Sequence, residues 1–345
     1  MLRIQKLELA KGMFFIENVT DIYYLTGKKV SEGVLLIFPK KAVFFVDSRY
    51  IDSCRTMKGL EVCLKEKTTL DDYIKQVEPS IIYVDGKHLC FDRFQFLQTL
   101  LPHTKIVSSS KMDEVRCIKD PSEIQKMKVS GNLNYAGYEH AVSILKEGIT
   151  EKEVAWEYEK FCRERGGERL SFDPIIGFGE NCAFPHHRSG DTKLKKGMAV
   201  LIDCGITVDM YTSDMTRTLF FDQASNPKDY KVWKHHYDLV KESYDRAFAK
   251  AKIGVEFSVL DDQVQSYAKE QGMSLHVKHS LGHSLGLDVH EWPRVSYLVK
   301  NIPIRENMFF TIEPGLYFEG KWGIRYEDTI LMTSCGPEVI SKKTC

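Results

Sequence analysis

Residues 201–218 read LIDCGITVDMYTSDMTRT. The pattern predicts a β-hairpin. Leu201 and Ile202 close an apolar run that begins at Met198, and Tyr211, Thr212, Thr216 and Thr218 favour strands. Each arm carries an aspartate, Asp203 and Asp214. A carboxylate on a strand that faces a core is costly unless it is paired or bound to a metal. A second segment has the same form. MFFTIEPGLYFEGKWGIRYEDTILMT, residues 308–333, places Glu313 after an apolar run and Glu327 in the return arm.

The two hairpins belong to a longer repeat. Shifted by 106 positions, Tyr138, Ala141, Lys146, Gly148 and Gly166 fall on Tyr244, Ala247, Lys252, Gly254 and Gly272. The glycines mark helix ends in register, so the reading is a duplicated unit of two helices followed by strands. Halves packed about a pseudo-twofold axis bring four carboxylates together. Four buried carboxylates cannot all stay ionised without cations, because like charges a few ångströms apart repel strongly. Oxygen-rich ligation with at most one imidazole points to two first-row divalent ions, Mn²⁺ first. Asp209 and Glu319 are read as turn caps, and Asp328 as facing away from Glu327 on one strand. Of eleven histidines, His186 and His187 precede the first hairpin in FPHHR, and His279, His283 and His290 crowd into HSLGHSLGLDVHEWPR beside the second. His235 and His236, in the helical KVWKHHYDLVK, are read as surface or packing residues.

The rest of the chain bounds the answer. Its 345 residues suit two domains, and 48 basic against 48 acidic residues leave no global field to draw nucleic acid or an anionic membrane. The N-terminus lacks the apolar stretch of a signal peptide, and no apolar run is long enough to span a bilayer. Nine cysteines without a CxxC suggest reduced thiols in the cytoplasm. Residues 1–118 alternate short strands and helices: GVLLIF and AVFFV form a hairpin across Pro39–Lys41, SIIYVDG a strand, and CFDRFQFLQTLL a helix. The boundary falls in RCIKDPSEI. There Asp120, Pro121 and Glu123 fit the N-cap, N1 and N3 positions of a helix that runs to about Lys146, and the second domain spans 119–345. Thr150 and Glu153 form the next capping box, and that helix ends at Gly166-Gly167. HExxH, GxSxG and Walker sequences do not occur.

LIDCG…YTSDMTRT, GHSLGLDVHE, IEPGLY and GIRYEDT resemble, in order, the signature blocks of the pita-bread metallopeptidases, a family that includes aminopeptidase P, prolidase and methionine aminopeptidase. YYLTG and VDSRY resemble the creatinase-type domain of its proline-specific branch. The fold implied is α/β (α+β): a creatinase-type α/β domain followed by a pseudo-twofold pita-bread catalytic domain. The resemblance implies that Asp203 chelates one ion, that Asp214 and Glu327 bridge both, and that His283 and Glu313 complete the other. A water activated between the ions would attack the scissile carbonyl, and Glu313 would pass on its proton. His186 and His290 would bind substrate and the tetrahedral intermediate, and His279 would line the proline pocket. Arg325, read as sharing a strand face with Glu327, would orient Asp203, and Thr216 would steady the bridge. Arg294, in HEWPR, resembles a prolidase arginine that binds a dipeptide's C-terminal carboxylate.

Two departures stand out: Met210 and Ser284 occupy positions where the family often has glycine. The implied cofactors are two divalent ions, Mn²⁺ with Co²⁺ or Zn²⁺ as alternatives. The implied partners are short peptides with proline second and a second copy of the chain in a homodimer, with no nucleic acid and no membrane. The main reading is an Xaa-Pro aminopeptidase. The alternatives are a prolidase and a peptide-binding relative without turnover.

Overall fold

The computed structural model describes residues 3–341; Met1, Leu2 and 342–345, which include Cys345, lie outside the described residues. The chain divides into two units, residues 1–116 and 117–345.

In the first unit the strands Glu61–Leu64, Ala42–Val46, Val34–Ile37, Met13–Ile16, Ile81–Val84 and Lys105–Ser108 form one mixed sheet in that order. The GVLLIF and AVFFV segments pair antiparallel as read, from Val34 opposite Phe45 to Ile37 opposite Ala42. Leu70 and Ile74 of the helix Lys67–Val77 and Leu97 of the helix Phe91–Leu100 close a core over Met13, Phe15, Val43 and Ile82.

The second unit shows the repeat in its hydrogen bonds. The first half opens with the helices Pro121–Ser143 and Glu151–Arg163, the second with Pro227–Lys250 and Phe257–Glu270. Asp120 caps the first of these: its carboxylate accepts from Ser122 N at 3.0 Å and Glu123 N at 3.1 Å, while Glu123 accepts from Asp120 N. Such a cap is worth about 1 kcal/mol. Asn226, 106 positions on, caps the third helix. After each first helix a glycine turns the chain, Gly148 with φ 88° and Gly254 with φ 86°. Gly148 N then donates to Leu194 O at 2.8 Å, and Gly254 N to Ile304 O at 2.9 Å; Leu194 N returns to Ile149 O and Ile304 N to Val255 O, both at 2.8 Å. The first helix ends at Ser143 rather than at Lys146, since Leu145 N already bonds back to Val142 O in a turn.

Each predicted hairpin has two tiers. In the first half Met198–Cys204 pairs with Met215–Phe221, with Thr216 opposite Asp203. Between them a smaller hairpin, Ile206–Val208 with Tyr211–Thr212, leaves for another sheet. In the second half Phe309–Ile312 pairs with Asp328–Thr333, and Gly315–Phe318 pairs with Trp322–Arg325 in a separate two-stranded sheet. The acids sit where the chain passes from the outer tier to the inner one: Asp203 at the end of a strand, and Asp214, Glu313 and Glu327 just outside strands. For Asp214, Glu313 and Glu327 this relieves the objection to acids in strands, because these positions leave the ladder; Asp203 stays in it, between Ile175 and Thr216. It also corrects the reading of Arg325. Arg325 ends an inner strand and Asp328 begins an outer one, with Tyr326 and Glu327 as the bend between two sheets. Arg325 and Glu327 are therefore not on one strand.

The bend at Gly205 tolerates no side chain, since a Cβ there would run into Ser213 O. The helices cover the outer faces of the sheets. Ala141, Val154 and Tyr158 pack on Val200 and Ile202, and Tyr244, Phe257 and Leu260 on Phe310 and Ile330. The eight cysteines among the described residues are free thiols. No helix among them is long and apolar enough to cross a membrane.

Candidate metal centre

The two halves are stitched together at the acid edge. Glu327 N donates to Thr216 O at 3.1 Å, Thr329 Oγ1 to Asp214 O at 2.8 Å, and Arg325 N to Thr218 Oγ1 at 3.1 Å. Asp203, Asp214, Glu327 and His283 are buried, with 2–8 % of their surface exposed, and Glu313 is half-buried. Ligand atoms of Asp214, His283 and Glu327 all lie within 4.8 Å of one another. His283 Nε2 is 3.5 Å from Asp214 Oδ2 and 3.6 Å from Glu313 Oε1. Its Nδ1 faces Ser284 O at 3.1 Å, which leaves Nε2 as the free donor atom.

Asp203 is held from behind by Arg325 Nη2. The same guanidinium reaches Thr216 Oγ1 at 3.0 Å, Tyr317 Oη at 2.8 Å and Pro185 O at 3.3 Å. Thr216 in turn donates to Glu327 Oε2 at 2.6 Å. So one oxygen of Asp203 and one of Glu327 are fixed by hydrogen bonds. The other oxygens, Asp203 Oδ1 and Glu327 Oε1, are buried with no hydrogen-bond partner, and so is Asp214 Oδ1. Orphaned buried carboxylate oxygens on three residues need an explanation, and a cation supplies it.

Electrostatics agree. Burial pushes the Asp214 and Glu327 carboxyls well above their ordinary range, and neighbouring acids add to it: Asp203 and Glu313 for Asp214, Asp214 and Glu313 for Glu327. Glu313 is raised by burial too, against the opposing pull of His283 and Arg325. A divalent ion reverses this penalty, so the donor set fits one.

A second group, Asp21, Asp85 and His88 in the first unit, has equally close ligand atoms. Its carboxylates already have partners within the protein: Asp21 accepts from Arg116 at 2.8 Å, and Asp85 is 2.8 Å from His88 Nδ1.

The remaining residues surround the centre. His290 is exposed, and its ring stands perpendicular to that of His283 with centroids 4.4 Å apart. Although part of its surface is open, the surrounding protein strips water from the ring, and with His283 and Arg294 close by its pKa is pushed down to about 4. Arg294 is exposed and sits opposite His283 across the strand pair Gly282–Ser284 and Glu291–Val295, so both side chains leave the sheet on one face. His279 is also pushed down to about 4, by burial and then by Arg325. Its Nε2 meets Tyr317 Oη at 2.8 Å and its Nδ1 meets Ser280 O at 2.8 Å. His186 lies exposed on the loop after Ala183 and acts electrostatically on both His279 and His290. His187 does not join it. It is 2.8 Å from the buried carboxylate of Glu151, which also accepts from Phe178 N, Asn181 Nδ2 and Gly190 N and so pins the loop that presents His186. His236 stacks on Phe318 at 4.0 Å, and Asp328 binds Arg217, both away from the centre.

Three contributors escaped the sequence reading. Tyr317 links Arg325 to His279, Thr311 donates to Glu313 and accepts from His283 N, and Glu151 clamps the His186 loop. The signal for Tyr317 was its two-residue spacing from Gly315 in the quoted IEPGLY block. Glu151 and Thr311 carried none.

Residues 125–334 match the description of metallopeptidase family M24, and residues 6–118 match the creatinase/prolidase N-terminal domain. The chain belongs to metallopeptidase family M24. Among M24 relatives, an Xaa-Pro dipeptidase of Pyrococcus horikoshii is 31 % identical over 330 residues, covering 93 % of this chain and 90 % of the relative. A solved prolidase from the same species superimposes with a TM-score of 0.91 at 28 % identity, covering 99 % of this chain and 98 % of the other. An X-Pro aminopeptidase from Thermotoga maritima superimposes with a TM-score of 0.87, also at 28 % identity and with the same coverage. The M24 pita-bread fold and the creatinase-type domain expected from the signature blocks are thus both present.

Proposed function

We propose that this chain is an Xaa-Pro aminopeptidase, which hydrolyses the bond between an N-terminal residue and a following proline. The observation that carries the reading is the set of three buried, unpartnered carboxylate oxygens on Asp203, Asp214 and Glu327 beside His283. Two divalent ions, Mn²⁺ first, would be held by Asp203, Asp214, His283, Glu313 and Glu327. Bound there, they supply Lewis-acid polarisation and a water of lowered pKa.

The protein's own groups supply the rest. Glu313, raised by burial, is suited to take a proton and hand it to the leaving amine. Arg325 aims Asp203 by holding one of its carboxylate oxygens, and Thr216 does the same for Glu327. His186 and His290 hydrogen-bond the scissile carbonyl as it gains charge. His279, fixed as its Nδ1–H tautomer by Ser280 O, lines the pocket for the proline ring. The same proposal includes domains of 1–118 and 119–345 and a homodimer in the cytoplasm.

A second reading, prolidase, is favoured by Arg294. Its guanidinium leaves the sheet on the face of His283, where a dipeptide's C-terminal carboxylate would meet a fork of donors. Hydrolysis of Ala-Pro and Ala-Pro-Ala by metal-free protein, with and without added Mn²⁺, tests both. Metal-dependent cleavage of the tripeptide supports the aminopeptidase, and cleavage of the dipeptide alone supports the prolidase. Cleavage of neither by metal-loaded protein overturns both.

A further inference from the structure

Lys119 and Glu291 are not among the metal-centre residues described above. Lys119 follows the first unit, one position before the cap Asp120, and Glu291 follows His290. In the structure they meet across 172 positions, with Nζ 3.0 Å from Oε2. Only 1 % of the lysine side chain and 5 % of the glutamate side chain are exposed. Burying two charges is expensive, and a well-packed apolar pair would often serve stability as well. The pair calls for another account.

The contacts of Glu291 provide one. Its second oxygen, Oε1, accepts from Leu287 N at 2.9 Å and Asp288 N at 3.3 Å. One carboxylate thereby closes the loop 286–291, whose penultimate residue is His290. The loop is packed tightly on the pair: a Cβ at Gly286 would lie 2.8 and 2.9 Å from the two Glu291 oxygens and 3.0 Å from Lys119 Cε. From the other side, Gly286 O accepts from Thr212 N at 2.7 Å and from Thr212 Oγ1 at 3.0 Å, two residues before Asp214. Lys119 itself is anchored by its backbone N–H on Asn307 O at 3.0 Å. The ion pair thus sits behind the loop, which Thr212 ties to the first half of the repeat, and the only exposed polar ring in the loop is that of His290.

We propose that the Lys119–Glu291 pair is a positioning device for His290: it fixes the loop 286–291 so that the imidazole stands over His283. Lys119 and Glu291 are positioning residues and touch no substrate. The proposal rests on the peptidase reading for its catalytic consequence. Its structural half stands apart from that reading.

Two measurements test it. In the metal-loaded enzyme, Glu291→Gln lowers kcat about 10–100-fold, the range for partners that orient a working group, with KM and metal content unchanged. In a His290→Ala background the same substitution costs less than two-fold, because the group it positions is gone. Equal losses in the two backgrounds, or a loss that tracks metal content, overturn the proposal. Where Glu291→Gln does not fold, the charge-free pair Lys119→Met with Glu291→Gln takes its place. The second measurement is amide exchange of Leu287 and Asp288, which needs no activity. Lys119→Met raises their exchange at least ten-fold while the strand Phe309–Ile312 stays protected. Unchanged protection at those two amides overturns the proposal even if the protein hydrolyses no peptide. An inactive wild-type enzyme sinks only the peptidase reading.

Discussion

Asp203 and Arg325, 122 positions apart, share a hydrogen bond from Nη2 to one carboxylate oxygen, while the other carboxylate oxygen is buried with no hydrogen-bond partner. The arginine thus neutralises one edge of the acid and leaves the other for a cation. Lysine in its place keeps the charge but cannot reach Asp203, Thr216 and Tyr317 together. Arg325→Lys is expected to lose about 10–100-fold in turnover or metal affinity. Metal content and kcat at fixed free Mn²⁺ measure it, and wild-type values for both would remove Arg325 from the site.

Asp214 stands between the halves, near His283 and Glu327. Asp214→Asn keeps the shape but removes the negative charge and one of the two donor oxygens, so metal and activity disappear together while the far-ultraviolet dichroism stays that of the wild type. Normal hydrolysis of Xaa-Pro peptides by this variant would mean that the centre lies elsewhere.

The acid cluster makes stability depend on pH and on metal. In metal-free protein the folded state holds Asp214 and Glu327 protonated to a higher pH than the unfolded chain does. The folded state then binds more protons, and stability falls as pH rises above about 4, the ordinary carboxylate range. Added divalent ion displaces those protons and removes the penalty, so its stabilisation grows with pH. Thermal unfolding of chelator-treated protein at pH 5, 6.5 and 8, with and without Mn²⁺, reads this directly. A metal-free melting temperature that rises with pH over that window contradicts the arrangement.

Arg294→Ala is the substitution that would distinguish the two proposed activities. Losing a charge-assisted pair to a C-terminal carboxylate costs about 1.5–3 kcal/mol, or roughly 10–100-fold. Arg294→Ala is expected to raise KM by that factor for Ala-Pro and to leave Ala-Pro-Ala within two-fold. An equal effect on both substrates would mean that the guanidinium does not read the peptide's end.

Met210 carries a φ of 73° beside Asp209 at 52°, a tight turn at the tip of the inner hairpin. Two left-handed residues in such a turn favour Asp-Gly. Met210→Gly is expected to stabilise the protein by about 0.5–1 kcal/mol, relief of side-chain strain outweighing glycine's entropy, with kcat unchanged. A lower denaturation midpoint would mean that the Met210 side chain contributes more than its strain costs.

Much of this was legible in the chain. Caps at Asp120 and Thr150, glycines at 148 and 254, and acids placed after apolar runs are local signals, and each marks the element or bend it implies. Less visible was anything that depends on two distant segments meeting. The alternation in GIRYEDT looks the same whether Arg325 and Glu327 share a strand or straddle a bend. Only the pairing of Gly315 with Arg325 and of Ile312 with Asp328 decides it. Tyr317 looked like one more strand aromatic until Arg325 and His279 met on its hydroxyl. Glu151 looked like a first-turn helix acid, and its four partners lie 27 to 39 positions away.

The doubled unit has a consequence for ancestry. Each half brings one acid at the close of its ingoing strand and one at the start of its outgoing strand, aspartates in the first half and glutamates in the second. A chain of half this length, dimerised about the same axis, would already gather four carboxylates at one point. Fusion into a single polypeptide then frees the two copies to drift apart, so that a symmetric cation trap becomes a lopsided one, with a histidine that only the second half contributes, reaching an acid of each half, and an arginine that backs the first half's Asp203. A peptide has a beginning and an end, and only a site that has lost its symmetry can tell them apart.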